Sequence, residues 1–261
     1  MLNVLDLFSG IGGFSLGFER AGMNTVAFCE YDPHARKILK KHWPEVPIHE
    51  DIRQLNGEKY YGIDVLCGGF PCQPYSRSGK QLGENDHRDL WPEMRRVIEE
   101  SRPRWIVCEN SSNVLNMAFG KIRSDLEAIG YEVGEPLCIP ACAINADHRR
   151  ERAWICANSK NIGLQGIGEK EISRIAGLQI ELTGIFESKR SRSSISKPGM
   201  LRSYNGIPCG VDRIKRLGNA VVPQIPEAIG RIIISIENEL IKLHNQSGSG
   251  TVQPALHSIN F

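Results

Sequence analysis

The sequence predicts an α/β protein with a mostly parallel sheet, helices on both faces and a small inserted domain. Three observations support this fold class. Short apolar runs alternate with stretches of helical apolar spacing from the N-terminus to Ala157. A glycine-rich turn at residues 10–13 joins the first apolar run to the first of these helices. The composition then changes between Asn158 and about Gly210, where glycine, serine and basic residues replace the apolar runs.

Length, composition and charge suggest how the chain is divided. Its 261 residues, 41% of them hydrophobic, suffice for one large and one small domain. The 32 basic and 30 acidic residues nearly cancel, but the segment 189–216 contains eight Lys or Arg against a single acid, Asp212. We expect a main domain at residues 1–157 that residues 211–244 complete, an inserted region at 158–210 and a flexible tail at 245–261.

The cysteines and the N-terminus indicate the compartment. None of the eight cysteines forms a CxxC pair, so neither a structural zinc site nor a disulfide framework is expected. The N-terminus has no basic leader region, and no apolar run approaches the ~18 residues that span a bilayer. We therefore predict a soluble, cytoplasmic protein with buried reduced thiols, no metal and no membrane contact.

The chain opens with a strand, a glycine turn and a helix. Residues 2–7 form a short apolar run, and apolar residues then recur at helical spacing from Phe14 to Ala21. This pattern is typical of the first unit of a Rossmann-like sheet, but the third glycine of the dinucleotide motif G-x-G-x-x-G is Ser15 here. NAD is therefore not the expected ligand, and a close helix–strand crossing explains the turn equally well.

Acidic residues follow the next two predicted strands. The strand from Thr25 to Cys29 ends in Glu30, about twenty residues after the glycines, where folds of this type place an acid on a ribose hydroxyl pair. A helix begins at Pro33 and stops near His42, since a proline two residues later disfavours helical backbone. Asp51 follows a third short strand, and its carboxylate is a candidate acceptor for an adenine amino group.

A stiff turn presents a cysteine after the fourth strand. The apolar run from Ile63 to Cys67 leads into Gly68-Gly69-Phe70-Pro71-Cys72-Gln73-Pro74. The prolines restrict the backbone and the glycines permit close approach of another molecule. Cys72 is therefore a candidate nucleophile, although a lone cysteine is more often an inert buried thiol. The polar segment from Arg77 to Arg88 has no helical or strand period, which is typical of a lid or binding loop.

A glutamate follows the fifth predicted strand. Helical spacing returns at residues 90–100, and a buried strand follows at 105–108. Glu109 comes directly after this strand, so we expect it on the edge of the sheet that also carries Cys72 and Glu30.

Two arginines precede the last predicted strand of the main domain. A helix at 122–129 ends at Gly130, and a single strand is expected from residue 131 to 139. Arg150 and Arg152 then share a face before the strand at 153–157, where they serve either a site or surface ion pairs. An amphipathic helix at 226–243 closes the fold.

These motifs carry a family resemblance. They are Phe8-Ser9-Gly10-Ile11-Gly12-Gly13, Glu30-Tyr31-Asp32, Asp51-Ile52, Gly69-Phe70-Pro71-Cys72-Gln73, Glu109-Asn110, Arg150-Glu151-Arg152 and Leu217-Gly218-Asn219-Ala220-Val221-Val222-Pro223. In this order they resemble the motifs of the DNA (cytosine-5)-methyltransferases, in their small bacterial or phage form. The resemblance covers residues 1–157 and 211–235.

The resemblance implies transfer of a methyl group from S-adenosylmethionine to carbon 5 of cytosine within a specific double-stranded DNA sequence, with S-adenosylhomocysteine as the product. Cys72 would add to carbon 6 of a base that is flipped out of the duplex. Glu109 would hydrogen-bond ring nitrogen 3 and the exocyclic amine, as a general acid. Arg152 would hold the cytosine carbonyl, and Arg150 would support the intermediate or the backbone.

The resemblance also implies the residues that contact the methyl donor and the DNA. The cofactor-binding residues would be Phe8, Gly10, Ile11, Glu30, Tyr31, Asp51, Ile52, Pro71, Leu90, Asn219, Ala220 and Val221. DNA contacts are expected from Ser76, Arg77 and Ser78 at the start of the lid. The basic residues Lys189, Arg190 and Arg192 of the insert would contact phosphates, which makes residues 158–210 a target-recognition region.

Other functions remain open on the sequence. Relatives with the same motifs methylate cytosine in transfer RNA, so a tRNA cytosine-5 methyltransferase is the alternative. A DNA-binding module without chemistry would usually have lost Cys72 or Glu109, and both are present. An NAD oxidoreductase is disfavoured by the glycine pattern. We expect a monomer. If the protein belongs to a restriction-modification system, the cognate restriction enzyme would be its genetic partner and would not bind it.

Overall fold

The computed structural model of the protein describes residues 1–71, 89–140, 151–160 and 220–246. The predicted lid at 77–88, nearly all of the inserted region and the tail beyond residue 246 lie outside the described residues.

The described strands form one mixed sheet. Their order is β3-β2-β1-β4-β5-β8-β6, and β7 also pairs with β8. The five strands from β3 to β5 are parallel neighbours, whereas β8 runs antiparallel to β5, β6 and β7. The strands are β1 Asn3–Leu7, β2 Asn24–Cys29, β3 Ile48–His49, β4 Val65–Gly68, β5 Trp105–Ser111, β6 Tyr131–Val133, β7 Leu137–Pro140 and β8 Glu151–Ser159.

Helices join these strands at the positions that the turn and capping residues indicate. Asp32 caps α2 by accepting a hydrogen bond from the backbone N–H of His34 at 2.8 Å, and Pro33 occupies the first turn. Gly22 ends α1 in the left-handed conformation, with φ 100°. The described helices are α1 Gly13–Ala21, α2 Pro33–His42, α3 Trp91–Ser101, α4 Val114–Met117, α5 Phe119–Ala128 and α6 Gln224–Gln246, with 3-10 turns at Ile52–Gln54 and Gly57–Tyr60.

Each face of the sheet has its own apolar core, so the predicted arrangement with helices on both faces is confirmed. Helices α1 and α6 cover one face, where Phe14, Phe18 and Ile229 pack on Trp105 and Trp154. Helices α3 and α5 cover the other face, with cluster members Trp91, Met94, Ile98, Ile122 and Leu126. Successive residues of β5 alternate between the two cores, because side chains of a strand point to opposite faces.

Glycines allow α1 and the segment leading into α6 to approach closely. A Cβ on Gly17 would lie 2.3 Å from the carbonyl oxygen of Pro223, and one on Gly13 would lie 2.5 Å from that of Val221. A Cβ on Gly230 of α6 would lie 2.9 Å from Cβ of Ala21. The glycine-rich turn thus continues into a close crossing, and the crossing partner is the C-terminal segment.

Three details differ from the sequence predictions. The single strand expected at 131–139 is divided into β6 and β7, because the stretch from Gly134 to Pro136 interrupts the ladder. Glu109 lies within β5, since pairing with β8 extends that strand to Ser111. Cys138 is exposed, because on β7 it points away from the face that buries Ile139. The other described cysteines are buried or partly buried free thiols.

Helix α6 contains a run of isoleucines, which raises the question of membrane insertion. Among the described residues, no helix is both long enough and apolar enough to cross a bilayer.

Candidate active site

The candidate site lies along the carboxyl ends of the parallel strands. Leu7 is the lateral partner of both Cys29 and Gly68, and Gly68 is the partner of Cys108. The residues that follow these four are Phe8, Glu30, Gly69 and Glu109. The register therefore places the predicted cofactor residues and the predicted catalytic glutamate in one row at this edge of the sheet.

The glycine-rich turn at this edge has unusual backbone geometry. Phe8 has φ 53°, in the left-handed region that non-glycine residues rarely adopt, and Gly10 follows with φ 56°. The Ser9 hydroxyl stabilises the turn by donating to the carbonyl oxygen of Asp6 at 2.7 Å. Among the described residues, no atom lies within 4 Å of a Cβ built on Gly10. The described part of the chain therefore leaves the Gly10 backbone open to a ligand.

Glu30 holds this turn from the neighbouring strand. Its Oε2 accepts the backbone N–H of Gly10 at 2.7 Å, and its Oε1 accepts that of Asp32 at 2.7 Å. Burial raises the pKa of the Glu30 carboxyl, and the two backbone hydrogen bonds oppose that shift. Each carboxylate oxygen has two lone pairs, so Glu30 retains acceptor capacity for a hydroxyl pair.

Asp51 and Ile52 occupy the outer end of the row, after β3. Ile52 is buried in the core, whereas the Asp51 carboxylate is held by Arg53 through an ion pair of 2.7 Å between Oδ2 and Nη2. The nearby Tyr31 side chain is 71% exposed. An exposed aromatic ring and a carboxylate beside Glu30 provide the polar and flat surfaces that a nucleoside requires.

Glu109 and Arg152 form the other end of the row. Nε of Arg152 lies 2.8 Å from Oε1 of Glu109, whose side chain is 9% exposed. Arg152 lies directly opposite Ser111 on the antiparallel strand β8, so it shares a face with Glu109 two residues away. A Cβ on Gly69 would lie 3.2 Å from Oε2 of Glu109. The structure thus brings Glu109, Arg152 and the glycine turn before Cys72 together.

Asn110 fixes the segment that leads to Cys72. Its Nδ2 donates to the carbonyl oxygen of Phe70 at 3.1 Å, and both groups are buried. The ring of Phe70 packs against Trp91 of α3, with centroids 5.4 Å apart. This positioning function was not predicted from the sequence. The sequence feature that could have indicated it is the amide residue Asn110 next to the carboxylate of Glu109 at the end of a strand.

A buried carboxyl group underlies the glycine-rich turn. Asp6 of β1 is fully buried, and its Oδ2 accepts a hydrogen bond from the Ser15 hydroxyl at 2.7 Å. Burial raises the pKa of Asp6 to about 7, despite the opposing hydrogen bond from Ser15. Asp6 was not among the predicted site residues, although an acid at an inward position of an apolar strand is a signal visible in the sequence.

The remaining predicted site residues fall into two groups. Ile11, Pro71, Leu90, Ala220 and Val221 are described and partly buried, and Val221 lies close to the glycine-rich turn at Gly13. The others lie outside the described residues: Cys72, Ser76, Arg77, Ser78, Arg150, Lys189, Arg190, Arg192 and Asn219.

Comparisons with known proteins identify the family of the chain. The family model described as C-5 cytosine-specific DNA methylase matches residues 2–197. The chain is 43% identical over 123 residues to the Type II methyltransferase M.NgoMIV of Neisseria gonorrhoeae, and the matched region covers 47% of this chain and 39% of that protein. It is 39% identical over 161 residues to the Type II methyltransferase M.Eco47II of Escherichia coli, and this matched region covers 59% of this chain and 39% of that protein.

The fold is also similar to a solved structure. A DNA modification methyltransferase encoded within an Escherichia coli prophage superposes with a TM-score of 0.54 and 29% sequence identity. The superposition covers 62% of this chain and 48% of the prophage protein. In each of these comparisons the chain matches half or less of the relative's length.

Proposed function

The chain belongs to the C-5 cytosine-specific DNA methylases, and from this premise we propose that it transfers the methyl group of S-adenosylmethionine to carbon 5 of cytosine in DNA. The single observation that carries the proposal is the pair of the buried Glu109 and the partly exposed Arg152, in which Glu109 lies beside Gly69 at the start of the turn leading to Cys72. Nucleophilic addition to a cytosine ring requires a thiol, a carboxyl group and a guanidinium, and Cys72, Glu109 and Arg152 supply these groups.

Cys72 supplies the nucleophile in this proposal. Its thiolate forms a bond to carbon 6, and the electrons of the 5,6 double bond move to carbon 5, which becomes nucleophilic. In its protonated form Glu109 donates a hydrogen bond to ring nitrogen 3 as negative charge develops there, and general acid catalysis of this kind contributes ~10²–10⁴ in rate. After methylation a base accepts the proton on carbon 5, the electrons of that C–H bond restore the 5,6 double bond, and the carbon–sulfur bond breaks to release Cys72 as a thiolate.

Arg152 and Asn110 prepare this site. Arg152 fixes the Glu109 side chain through the 2.8 Å contact and presents its remaining donors to the cytosine carbonyl. Asn110 holds the carbonyl of Phe70, two residues before Cys72, so the turn is oriented before substrate binds. We retain Arg150 as a support for the intermediate or the backbone.

The residues present fit the methyl donor. Bound S-adenosylmethionine supplies an electrophilic methyl group on a positively charged sulfur. Glu30 would hold its ribose and Asp51 the amino group of its adenine. Phe8, Gly10, Ile11, Tyr31, Ile52, Pro71, Leu90, Asn219, Ala220 and Val221 would complete the pocket. The open space at Gly10 and the acceptor capacity of Glu30 support this assignment.

The DNA-related parts of the proposal rest on the sequence. A base inside a duplex is out of reach, so the target cytosine flips out at a cost of a few kcal/mol for unstacking. Ser76, Arg77 and Ser78 would close over it, and the target-recognition region at 158–210 would choose the DNA sequence. We propose that the protein acts as a cytoplasmic monomer, with a restriction enzyme as its genetic partner.

A trapping experiment tests the mechanism. The protein is incubated with S-adenosylmethionine and duplex DNA whose cytosines carry fluorine at carbon 5. Fluorine does not leave as a proton, so Cys72 is not eliminated and a denaturation-resistant adduct accumulates. We expect mass spectrometry to locate the adduct on Cys72. Cys138→Ser serves as the matched control, because this thiol on β7 is exposed and has no role in the proposed mechanism.

The outcomes separate the possible functions. An adduct that persists in Cys138→Ser and disappears in Cys72→Ala supports the proposal. An adduct with fluorinated RNA alone would replace DNA by RNA as the substrate. The absence of any adduct, together with normal binding of S-adenosylhomocysteine, would contradict the covalent mechanism.

A further inference from the structure

We propose that Arg53 is a positioning residue that orients the Asp51 carboxylate, so that the site selects the amino group of adenine in the methyl donor. The inference rests on the proposed function, because it concerns the same cofactor site. It adds a residue that no motif of the sequence analysis included.

The contacts between the two side chains are bidentate. Nε of Arg53 donates to Oδ1 of Asp51 at 2.9 Å and, more weakly, to Oδ2 at 3.1 Å. Nη2 donates to Oδ2 at 2.7 Å. The backbone N–H of Arg53 also donates to Oδ1 at 3.0 Å. Bidentate pairing fixes the plane of a carboxylate as well as its position.

Among the described residues, this pairing leaves Oδ2 as the less fully bonded oxygen of the Asp51 carboxylate. Oδ1 accepts two hydrogen bonds, which use both of its lone pairs. Oδ2 accepts one short hydrogen bond, from Nη2, so within the described residues one of its lone pairs has only the long contact from Nε. The Arg53 guanidinium holds the pKa of Asp51 below its usual range, so the carboxyl group accepts and does not donate. An oxygen that shares the Nε–H donor with Oδ1 can still accept one N–H of an exocyclic amine, whereas it repels a carbonyl oxygen.

The backbone of the turn is fixed independently of Arg53. Arg96 of α3 donates to the carbonyl oxygen of Ile52 at 2.7 Å and to that of Leu55 at 3.0 Å. Arg96 is itself held by Glu93 and Glu100 at 2.9 and 2.8 Å. Loss of the Arg53 side chain therefore removes the guanidinium contacts that fix the carboxylate plane, but it keeps the backbone hydrogen bond to Oδ1 and the turn that carries Asp51.

The location agrees with a role in ligand recognition. Asp51 follows β3 and Glu30 follows β2, and these strands are parallel neighbours. Arg36 joins the two strand ends, because it donates to the carbonyl oxygen of Tyr31 at 2.7 Å and pairs with Glu50 at 3.1 Å. The proposed adenine and ribose contacts are therefore held at a constant separation.

A purely structural role for Arg53 leads to a different expectation. Its side chain is 57% exposed, and exposed ion pairs usually contribute little to stability. If the pair served only the surface, its loss would change neither the cofactor affinity nor the discrimination between purine rings.

The test compares two ligands by calorimetry. One is S-adenosylhomocysteine, and the other is S-inosylhomocysteine, in which a carbonyl replaces the adenine amino group. The proteins are the wild type, Arg53→Ala, Arg53→Lys, Asp51→Asn and the control Arg231→Ala. The control removes another exposed arginine, which pairs with Glu227 at 2.9 Å on α6.

We expect the wild type and Arg231→Ala to prefer the adenine ligand by roughly tenfold to a hundredfold, as for one hydrogen bond to a charged group. Arg53→Ala should reduce this preference to less than about threefold, and Arg53→Lys should fall between, because an ammonium lacks the bidentate geometry. Asp51→Asn should abolish or invert the preference, since its amide donates to a carbonyl.

Each contrary outcome has a distinct meaning. An unchanged preference in Arg53→Ala would overturn the positioning role. Equal binding of the two ligands to the wild type would overturn recognition of the amine and leave the proposed methyl donor intact. Failure of the wild type to bind either ligand would overturn both this inference and the proposed function.

Discussion

The substitution Asp6→Asn tests how the buried carboxyl group affects stability. Asp6 is fully buried, and its pKa is raised to about 7, compared with ~3.9 in an unfolded chain. One pKa unit corresponds to about 1.36 kcal/mol, so the difference is worth about 4 kcal/mol. Asparagine has the same shape and still accepts the Ser15 hydroxyl, but it carries no titratable proton.

The sign of the effect follows from proton binding. Between the two pKa values, the folded protein keeps a proton on Asp6 that the unfolded chain has released. The contribution of Asp6 is therefore fully present below pH ~4 and is lost as the pH rises to about 7. Asp6→Asn should lack this loss, so its stability relative to the wild type should increase with pH.

Urea unfolding, followed by circular dichroism, measures the effect at pH 5, 6, 7 and 8. Between pH 5 and pH 8 the stability difference between Asp6→Asn and the wild type should grow by about 3 kcal/mol. Glu45→Gln is the control, because Glu45 is an exposed loop acid. A difference that stays constant across this pH range would refute the assignment of a protonated Asp6.

Two further predictions concern the hydrogen bond of Asn110 and the close packing at Gly17. Asn110→Ala removes the hydrogen bond to the carbonyl of Phe70, so kcat should fall roughly tenfold to a hundredfold while the KM for the methyl donor changes little. Single-turnover methylation with the exposed Asn116→Ala as control measures this, and an unchanged kcat would contradict it. Gly17→Ala places a Cβ 2.3 Å from the carbonyl oxygen of Pro223, which should cost about 1–3 kcal/mol in urea unfolding. Gly120→Ala, where a Cβ meets no atom of the described residues within 4 Å, should cost nothing, and equal effects of the two would disprove the close-packing explanation.

Much of the described fold could be predicted because its signals are local. Pro33 and Gly130 indicated helix ends, and the structure places Pro33 at the start of α2 and Gly130 two residues after the end of α5. The apolar runs identified the buried strands, although their ends shifted by one to three residues. The division between β6 and β7 was missed, because a short break in an edge strand depends on pairing with β8 that no local pattern shows.

The candidate site was predicted in part. Glu30, Asp51 and Glu109 were recognised because they end apolar runs, and parallel strands bring such ends together. Asn110, Asp6 and Arg53 received no role. Their functions depend on partners in space, such as the carbonyl of Phe70 or the lone pairs of Asp51, and a polar residue alone does not reveal them.

The sequence by itself determined the α/β class, the order of elements and the motifs that indicate cytosine methylation. Periodicity and turn chemistry act over a few residues, and they survive in the linear order of the chain. Only the tertiary structure decided that Arg152 meets Glu109, that α6 packs on α1 through glycines, and that a carboxyl group is buried beneath the glycine-rich turn. These features depend on strand register and on the distances between distant segments, and register is set by the packing of the whole sheet.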